Sequence, residues 1–273
     1  MDQRTWVIIK WVCIVFMILS VLAGIIVGIY FATKENFNSI RDNKDPNKEP
    51  TRPPHPKFYE DIADDHPEVL NMEIEVKAQM EVTPKYTKDG FKKMRLPEPL
   101  YKKLLEAVRT TDRVQEGPQF IFRRTSVGLP PYVIPIPREL KREVEETLRP
   151  ILEEWSGVSG LIPTSTYGPR EYRRGSRLRM HVDIGNTHII SAIVQIDRQG
   201  MDKDWPLVII NRQGQRENVY LQGGEILLYE SASLPHSREL PLEGDYFVNM
   251  FVHFAPPNYE QMKKEYMKNI IKK

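Results

Sequence analysis

His181 and Asp183 stand two residues apart in RLRMHVDIGNTHIISAIVQI, residues 177–196. These two metal-capable side chains interrupt a stretch that otherwise reads as a strand, a tight turn and a second strand of one hairpin. On a strand, residues i and i+2 face the same side, so the imidazole and the carboxylate project together. A carboxylate turned into a β-structure is costly unless something neutralises it. The pair is therefore either a solvated surface feature or part of a metal site whose third ligand lies elsewhere.

The chain has six histidines. His55 and His66 fall in polar or irregular sequence. His188 and His253 sit in apolar strands, where a hydrogen-bonded core histidine is the plainer reading. His236 remains, in GGEILLYESASLPHSREL: Gly223-Gly224 forms a turn, ILLY a strand, and a polar loop delivers His236 at the next strand start. His181, Asp183 and His236 would form a two-histidine, one-carboxylate face that leaves about three coordination positions open, the arrangement of non-haem Fe(II) oxygenases. A zinc site for hydrolysis could use the same residues, but no general base is placed for it.

These residues need a frame. From residue 160 onward short apolar runs are separated by turns: LIPTSTYG, RLRMHVD, HIISAIVQI, PLVIIN, ENVYL, EILLYE and DYFVNMFVHF. With no helix-length segment between them, they predict an antiparallel sandwich or barrel. Two amphipathic helices precede them. Leu100, Leu104, Leu105 and Val108 mark one apolar face; Leu140, Val144, Leu148, Ile151, Leu152 and Trp155 mark the other. Pro137 suits a helix start, and Pro150 should kink the second helix near its end. Both helices are expected to cover one face of a sheet. Residues 57–95 show no clean period.

RMHVD followed by GGEILLYESASLPHS resembles the H-x-D…H core of the Fe(II)/2-oxoglutarate dioxygenases, nearest the prolyl 4-hydroxylase-like branch. In that branch a Tyr-Gly turn precedes the H-x-D, as Tyr167-Gly168 does here, although the loop PREYRRGSRL is longer. The resemblance covers roughly residues 138–256. It implies an α+β, mainly β fold: a double-stranded β-helix (jelly-roll) with supporting N-terminal helices at 97–156, a core at 160–256 and a C-terminal helix at 257–273, within a domain spanning 57–273. It implies Fe(II) on His181, Asp183 and His236, 2-oxoglutarate and O₂ as co-substrates, ascorbate as an accessory reductant, and a peptide or protein substrate. Tyr167 then belongs with the 2-oxoglutarate pocket.

The chain departs from that pattern at one place. The branch puts a Lys or Arg about ten residues after the second histidine, to pair with the distal carboxylate of 2-oxoglutarate. Here Asp245, Tyr246 and Phe247 occupy it. A buried dianion still calls for a bidentate cation, which Arg supplies best. Arg238, on the strand of His236, comes first, and Arg179, beside His181, second; Tyr246 could add a hydrogen bond to either. If neither serves, the chain is a catalytically silent β-helix that binds a partner.

Residues 11–31, WVCIVFMILSVLAGIIVGIYF, carry no charge and match the ~20 residues a membrane-spanning helix needs. They exceed the apolar core of a cleavable signal, and no small-x-small cleavage site follows. The segment predicts a single transmembrane helix ahead of the domain, a single-pass membrane anchor after a short tail at 1–10. Flanking positive charges do not decide its orientation. Ser20, Gly24, Gly28 and Ala32 form a small-residue stripe suited to homodimerisation, or simply reflect common membrane composition. Residues 32–56, with five prolines, read as an extended stalk. The only cysteine, Cys13, lies in the anchor, so the domain holds no internal disulfide. A net charge of +2 and the lack of an aromatic platform exclude nucleic acid as the expected partner. The run Arg170, Arg173, Arg174, Arg177, Arg179 is either a solvated loop or a field that steers an acidic substrate.

Overall fold

Strict alternation along three central strands builds the fold. In the computed structural model, which describes residues 67–116, 125–128 and 130–271, strands β5 (Ile162–Arg173), β7 (Ile190–Gln199), β10 (Glu225–Tyr229) and β12 (Tyr246–Ala255) form the centre of a seven-stranded sheet. Ile190, Ala192, Val194 and Ile196 of β7, Ile226 and Leu228 of β10, and Val248, Met250, Val252 and Phe254 of β12 lie on one side in a single buried cluster. The intervening Ser191, Ile193, Leu227, Tyr229, Phe247, Asn249 and His253 turn to the other side.

Two helices cover the apolar side. Helix α2 (Glu98–Thr110) brings Leu100, Leu104 and Val108, and α3 (Arg138–Ser156) brings Val144, Leu148 and Leu152. Leu105, Leu140, Ile151 and Trp155 pack partly buried around them. Pro137 is the N-cap of α3, the helix continues through Pro150, and Gly157 ends it with φ 71°, its N–H bonding the carbonyl of Glu153. That left-handed cap is a conformation glycine adopts without steric cost. Both helices lie where their apolar spacing placed them.

The sheet is completed by β1 (Phe91–Arg95) at one edge and by β4 (Tyr132–Val133) and β2 (Val114–Gln115) at the other, in the order β1-β10-β7-β12-β5-β4-β2. A second sheet has the order β3-β6-β11-β8-β9, from β3 (Ser126–Val127), β6 (Arg177–His181), β11 (His236–Arg238), β8 (Leu207–Ile210) and β9 (Arg216–Val219). Every pairing is antiparallel. Two facing sheets with strands crossing between them make a jelly-roll. Helix α1 (Pro67–Val82), in the segment without a clear period, and α4 (Tyr259–Ile271) complete the described residues.

Three local expectations change. The segment 177–196 is no hairpin: β6 belongs to the smaller sheet and β7 to the larger, and residues 182–189 arch between them. Tyr167-Gly168 is no turn but lies inside β5, opposite a register shift between Asn249 and Phe251. Gly168 holds φ 88° there, and a Cβ would fall 2.7 Å from the nitrogen of Arg170. PREYRRGSRL is mostly strand, with only Arg174–Ser176 turning between the sheets. The anchor at 11–31, its small-residue stripe and the stalk at 32–56 lie outside the described residues. Among the described residues no helix is long and apolar enough to cross a membrane.

Leu148, fully buried between α3 and the sheet, provides a measure of this packing. Leu148→Ala is expected to lower the unfolding free energy by about 2–5 kcal/mol, read from urea titration monitored by tryptophan fluorescence. A change under about 0.5 kcal/mol would mean that α3 does not pack as described.

Candidate metal centre

The smaller sheet brings the three ligand candidates together. His181 ends β6 and His236 begins β11, and the two are paired across the ladder. Asp183 follows two residues after β6, its backbone N–H bonded to the carbonyl of Ser231. Asp183 Oδ1 stands 3.8 Å from Nε2 of His181 and 3.8 Å from Nε2 of His236. One ligand atom from each residue falls within 4.8 Å of the others. Ligands about 2.0–2.2 Å from a shared ion lie roughly 3–4 Å apart, so the set fits a divalent metal after slight contraction.

Hydrogen bonds fix which atoms face inward. Nδ1 of His181 lies 2.7 Å from the carbonyl of Arg179, and Nδ1 of His236 2.9 Å from that of Leu234. A carbonyl only accepts, so each Nδ1 carries a proton, and in the neutral ring each Nε2 is left with its lone pair. Tyr229, on β10 of the other sheet, donates to Asp183 Oδ2 at 3.1 Å, leaving Oδ1 to the metal side. Burial raises the Tyr229 phenol well above its usual range, and the nearby carboxylate adds to this, so it remains a donor.

Electrostatics matches the donor set. Burial, then the His236 imidazole, brings the pKa of His181 down to about 4. Burial alone would raise Asp183, but His236, His253, His188 and His181 outweigh it and hold the carboxyl below its usual range. A neutral His181 imidazole and an ionised Asp183 are the protonation states a metal requires of these two ligands.

The triad opens into a cavity of about 650 Å³ between the sheets, within the range of small-molecule sites. Arg238 reaches the same cavity and is only 3% exposed. Its guanidinium lies between the rings of Trp205 and Phe247, 4.4 and 4.7 Å from their centroids. It donates to the Trp205 carbonyl and, at 3.2 Å, to Asn249 Oδ1. Among the described residues no carboxylate pairs with it. Burial lowers its pKa to about 10, so it stays charged at neutral pH. Phe247, from the position where a cation was sought, instead supplies an aromatic face to a cation on the neighbouring sheet.

The other co-substrate candidates are placed differently. Arg179 does not line the cavity: β6 pairs His181 with His236 but Leu178 with Arg238, so one extra residue intervenes. Such a bulge turns following side chains to the opposite face, and Leu178 takes the inward position. Tyr246 packs beneath the helices, its hydroxyl donating to Asp197 at 3.2 Å, and the structure does not bring it to the cavity. Tyr167 does line it, accepting at 2.8 Å from Arg170, which is itself paired with Glu116. The basic run is largely neutralised: Arg170 pairs with Glu116, Arg173 with Glu171 and Arg174 with Asp202.

Gln79 on α1 had no signal in the sequence, because α1 has no clear apolar period. Its Nε2 donates to the carbonyls of Asp183 (2.6 Å) and Ala232 (2.8 Å), and its Oε1 accepts from the N–H of Gly185 at 3.1 Å. One side chain thus ties the Asp183 loop to the loop that precedes His236. His188 and His253 also line the cavity; His253 is hydrogen-bonded in β12 as expected, whereas His188 lies on the arch before β7.

No family profile and no curated protein matches the chain. Solved structures do. A Pseudomonas putida prolyl-4-hydroxylase is 15% identical over 65% of this chain and 98% of its own, at a TM-score of 0.45. A prolyl hydroxylase from Trichoplax adhaerens, in complex with a hypoxia-inducible-factor peptide fragment, is 11% identical over 73% and 99%, at 0.46. HygX from Streptomyces hygroscopicus, with nickel, 2-oxoglutarate and hygromycin B bound, is 14% identical over 62% and 84%, at 0.43. The structural neighbours are thus of the group that the H-x-D…H segment resembles.

Two outcomes test this geometry. Gln79→Ala is expected to weaken Ni(II) binding about tenfold, measured by calorimetry on the folded variant; unchanged affinity would remove Gln79 as a positioning residue. In the metal-free protein, His181 and His253 have folded pKa values of about 4 and about 3 against 6.5 unfolded. The unfolded chain therefore binds more protons than the native state below pH 6.5, and stability falls as pH drops. Urea titrations between pH 6.5 and 4 should show proton uptake on unfolding of up to about two from these rings. A flat profile would contradict their burial as neutral groups.

Proposed function

We propose that this protein is an Fe(II)/2-oxoglutarate-dependent oxygenase that hydroxylates a C–H bond, with peptidyl proline the first substrate to test, and that residues 11–31 tether it to a membrane. The observation that carries the enzymatic reading is the buried Arg238 guanidinium, without a carboxylate partner among the described residues, in the same cavity as His181, Asp183 and His236. Keeping an uncompensated cation out of water costs several kcal/mol. An anionic ligand offsets that cost.

The residues divide the work. Iron held by the triad supplies the redox chemistry that couples oxidation of 2-oxoglutarate to succinate and CO₂ with insertion of one O₂ oxygen into the substrate C–H bond. His181 and His236 present unprotonated Nε2 atoms because backbone carbonyls hold their Nδ1 protons. Tyr229 orients Asp183. Arg238, fixed by Trp205, Phe247 and Asn249, pairs with the distal carboxylate, and Ile193, Leu207 and Phe251 exclude water around it. A prolyl hydroxylase among the similar structures is in complex with a peptide, which supports a peptide as the substrate class. With a cation available, the ground for a silent binding module is removed.

Anaerobic Fe(II) loading followed by 2-oxoglutarate-dependent succinate release tests the reading directly. Asp183→Ala should abolish succinate formation. Arg238→Ala should raise the 2-oxoglutarate Kd by roughly 100-fold, about 3 kcal/mol, while Ni(II) binding persists. Metal binding without any 2-oxoglutarate affinity in the wild type would sink the proposal. Resistance of the full chain to alkaline carbonate extraction tests the tether.

A further inference from the structure

The cavity has a second polar wall that the triad and Arg238 do not use. Along β12, Asn249, which contacts Arg238, and His253 are four residues apart, about 13 Å at ~3.3 Å per residue. His253 is therefore set apart along the strand from the Asn249 that contacts Arg238. His253 is 4% exposed, lines the cavity and lies against His188, ring centroids 3.7 Å apart.

A chain of hydrogen bonds sets the proton on His253. Ser231 Oγ donates to the carbonyl of His188 at 2.9 Å. A hydroxyl has one proton, so Ser231 must accept in its 2.7 Å contact with Ser191 Oγ. Ser191 then spends its own proton on Ser231 and must accept from His253 Nδ1 at 2.8 Å. His253 therefore carries its proton on Nδ1, and Nε2 is left as a bare acceptor. Burial, then the neighbouring His188, lowers its pKa to about 3, so the ring stays neutral. Nε2 has no hydrogen-bond partner among the described residues. With Nδ1 committed to Ser191, Nε2 is the ring nitrogen left available to a ligand in the cavity that His253 lines.

We infer that His253 Nε2 is a substrate-recognition acceptor that takes an N–H or O–H from the primary substrate and places the neighbouring C–H bond at the metal. Ser191 and Ser231 are positioning residues that hold its tautomer. The recognised class is a donor-bearing substrate, an alcohol or a peptide that offers an amide N–H from a residue beside the reacting one (a prolyl nitrogen itself has none), rather than a hydrocarbon. This rests on the oxygenase reading in one respect only: that the substrate lies in the cavity beside the triad.

The test is a ¹⁵N-histidine NMR measurement on the full chain in detergent, loaded with Zn(II) and 2-oxoglutarate, with His253 assigned through His253→Gln. Should that variant not fold, Ser191→Ala, which alters the ring's hydrogen bond, identifies the same resonance by its displacement. Long-range ¹H–¹⁵N correlations are expected to show the Nδ1–H tautomer. Titration with N-methylacetamide or ethylene glycol should shift Nε2, and the stronger of the two tells amide from alcohol. N,N-dimethylacetamide, of similar size but without a donor, should shift it at least about fivefold less, in line with one lost hydrogen bond. A proton on Nε2, or equal shifts with all three probes, overturns the inference. Zn(II) and 2-oxoglutarate affinity, measured by calorimetry on the same sample, reports separately on the oxygenase reading.

Discussion

The constraint on which the site depends is the Asp183 carboxylate, taken out of water between two sheets. A lone buried carboxylate would protonate or force the loop outward. Here Tyr229 donates to one oxygen, four imidazoles surround the group, and Gln79 grips the backbone carbonyl of the same residue. Each partner comes from a different element: β10, the strands and arch carrying the histidines, and α1. In water the carboxylate is ionised without help; once the sheets close over it, these partners are what let it stay so.

The cavity then separates into two polar ends joined by an apolar floor. At one end a cation sits between aromatic rings with its amide neighbour; at the other two stacked imidazoles are held, His253 by Ser191 and His188 by Thr187. Opposite chemistry at the two places suits two ligands of different character, one anionic and one offering a hydrogen-bond donor, in the cavity that the triad also lines. The larger sheet contributes to both ends through β12, whose inner face carries Phe247, Asn249, Phe251 and His253 in order. Its outer face, Val248 to Phe254, is anchored under α2 and α3. Packing on the apolar side of one strand thereby fixes the spacing of functional groups on the other.

What was legible in the chain itself was periodic or compositional. The helical spacing of Leu100 to Val108 and Val144 to Leu152, the seven apolar runs and the H-x-D with a later histidine all rest on local repetition, and each found its place. His181 and Asp183 face together because side chains two apart on an extended chain must do so. Gly223-Gly224 turned the chain where glycine permits it. Strand-face spacing offered Arg238 and Arg179 alike as the cation.

What tertiary structure decided concerns register and partnership, which no local window contains. A single extra residue in β6 exchanged Leu178 for Arg179 at the cavity wall. The arch at 182–189 sent β6 and β7 to opposite sheets, where sequence suggested one hairpin. Gln79 gained its role from a helix without amphipathic pattern, because its three hydrogen bonds go to residues more than a hundred positions away. His253 reads as a core histidine in sequence, and it is one on its Nδ1 side; Ser191, from another segment, holds that side, and Ser231 beyond it bears only on where the ring's proton lies. Residue types and spacing determined which side chains could hold a metal. Long-range hydrogen bonds determined which of their atoms are free to do so.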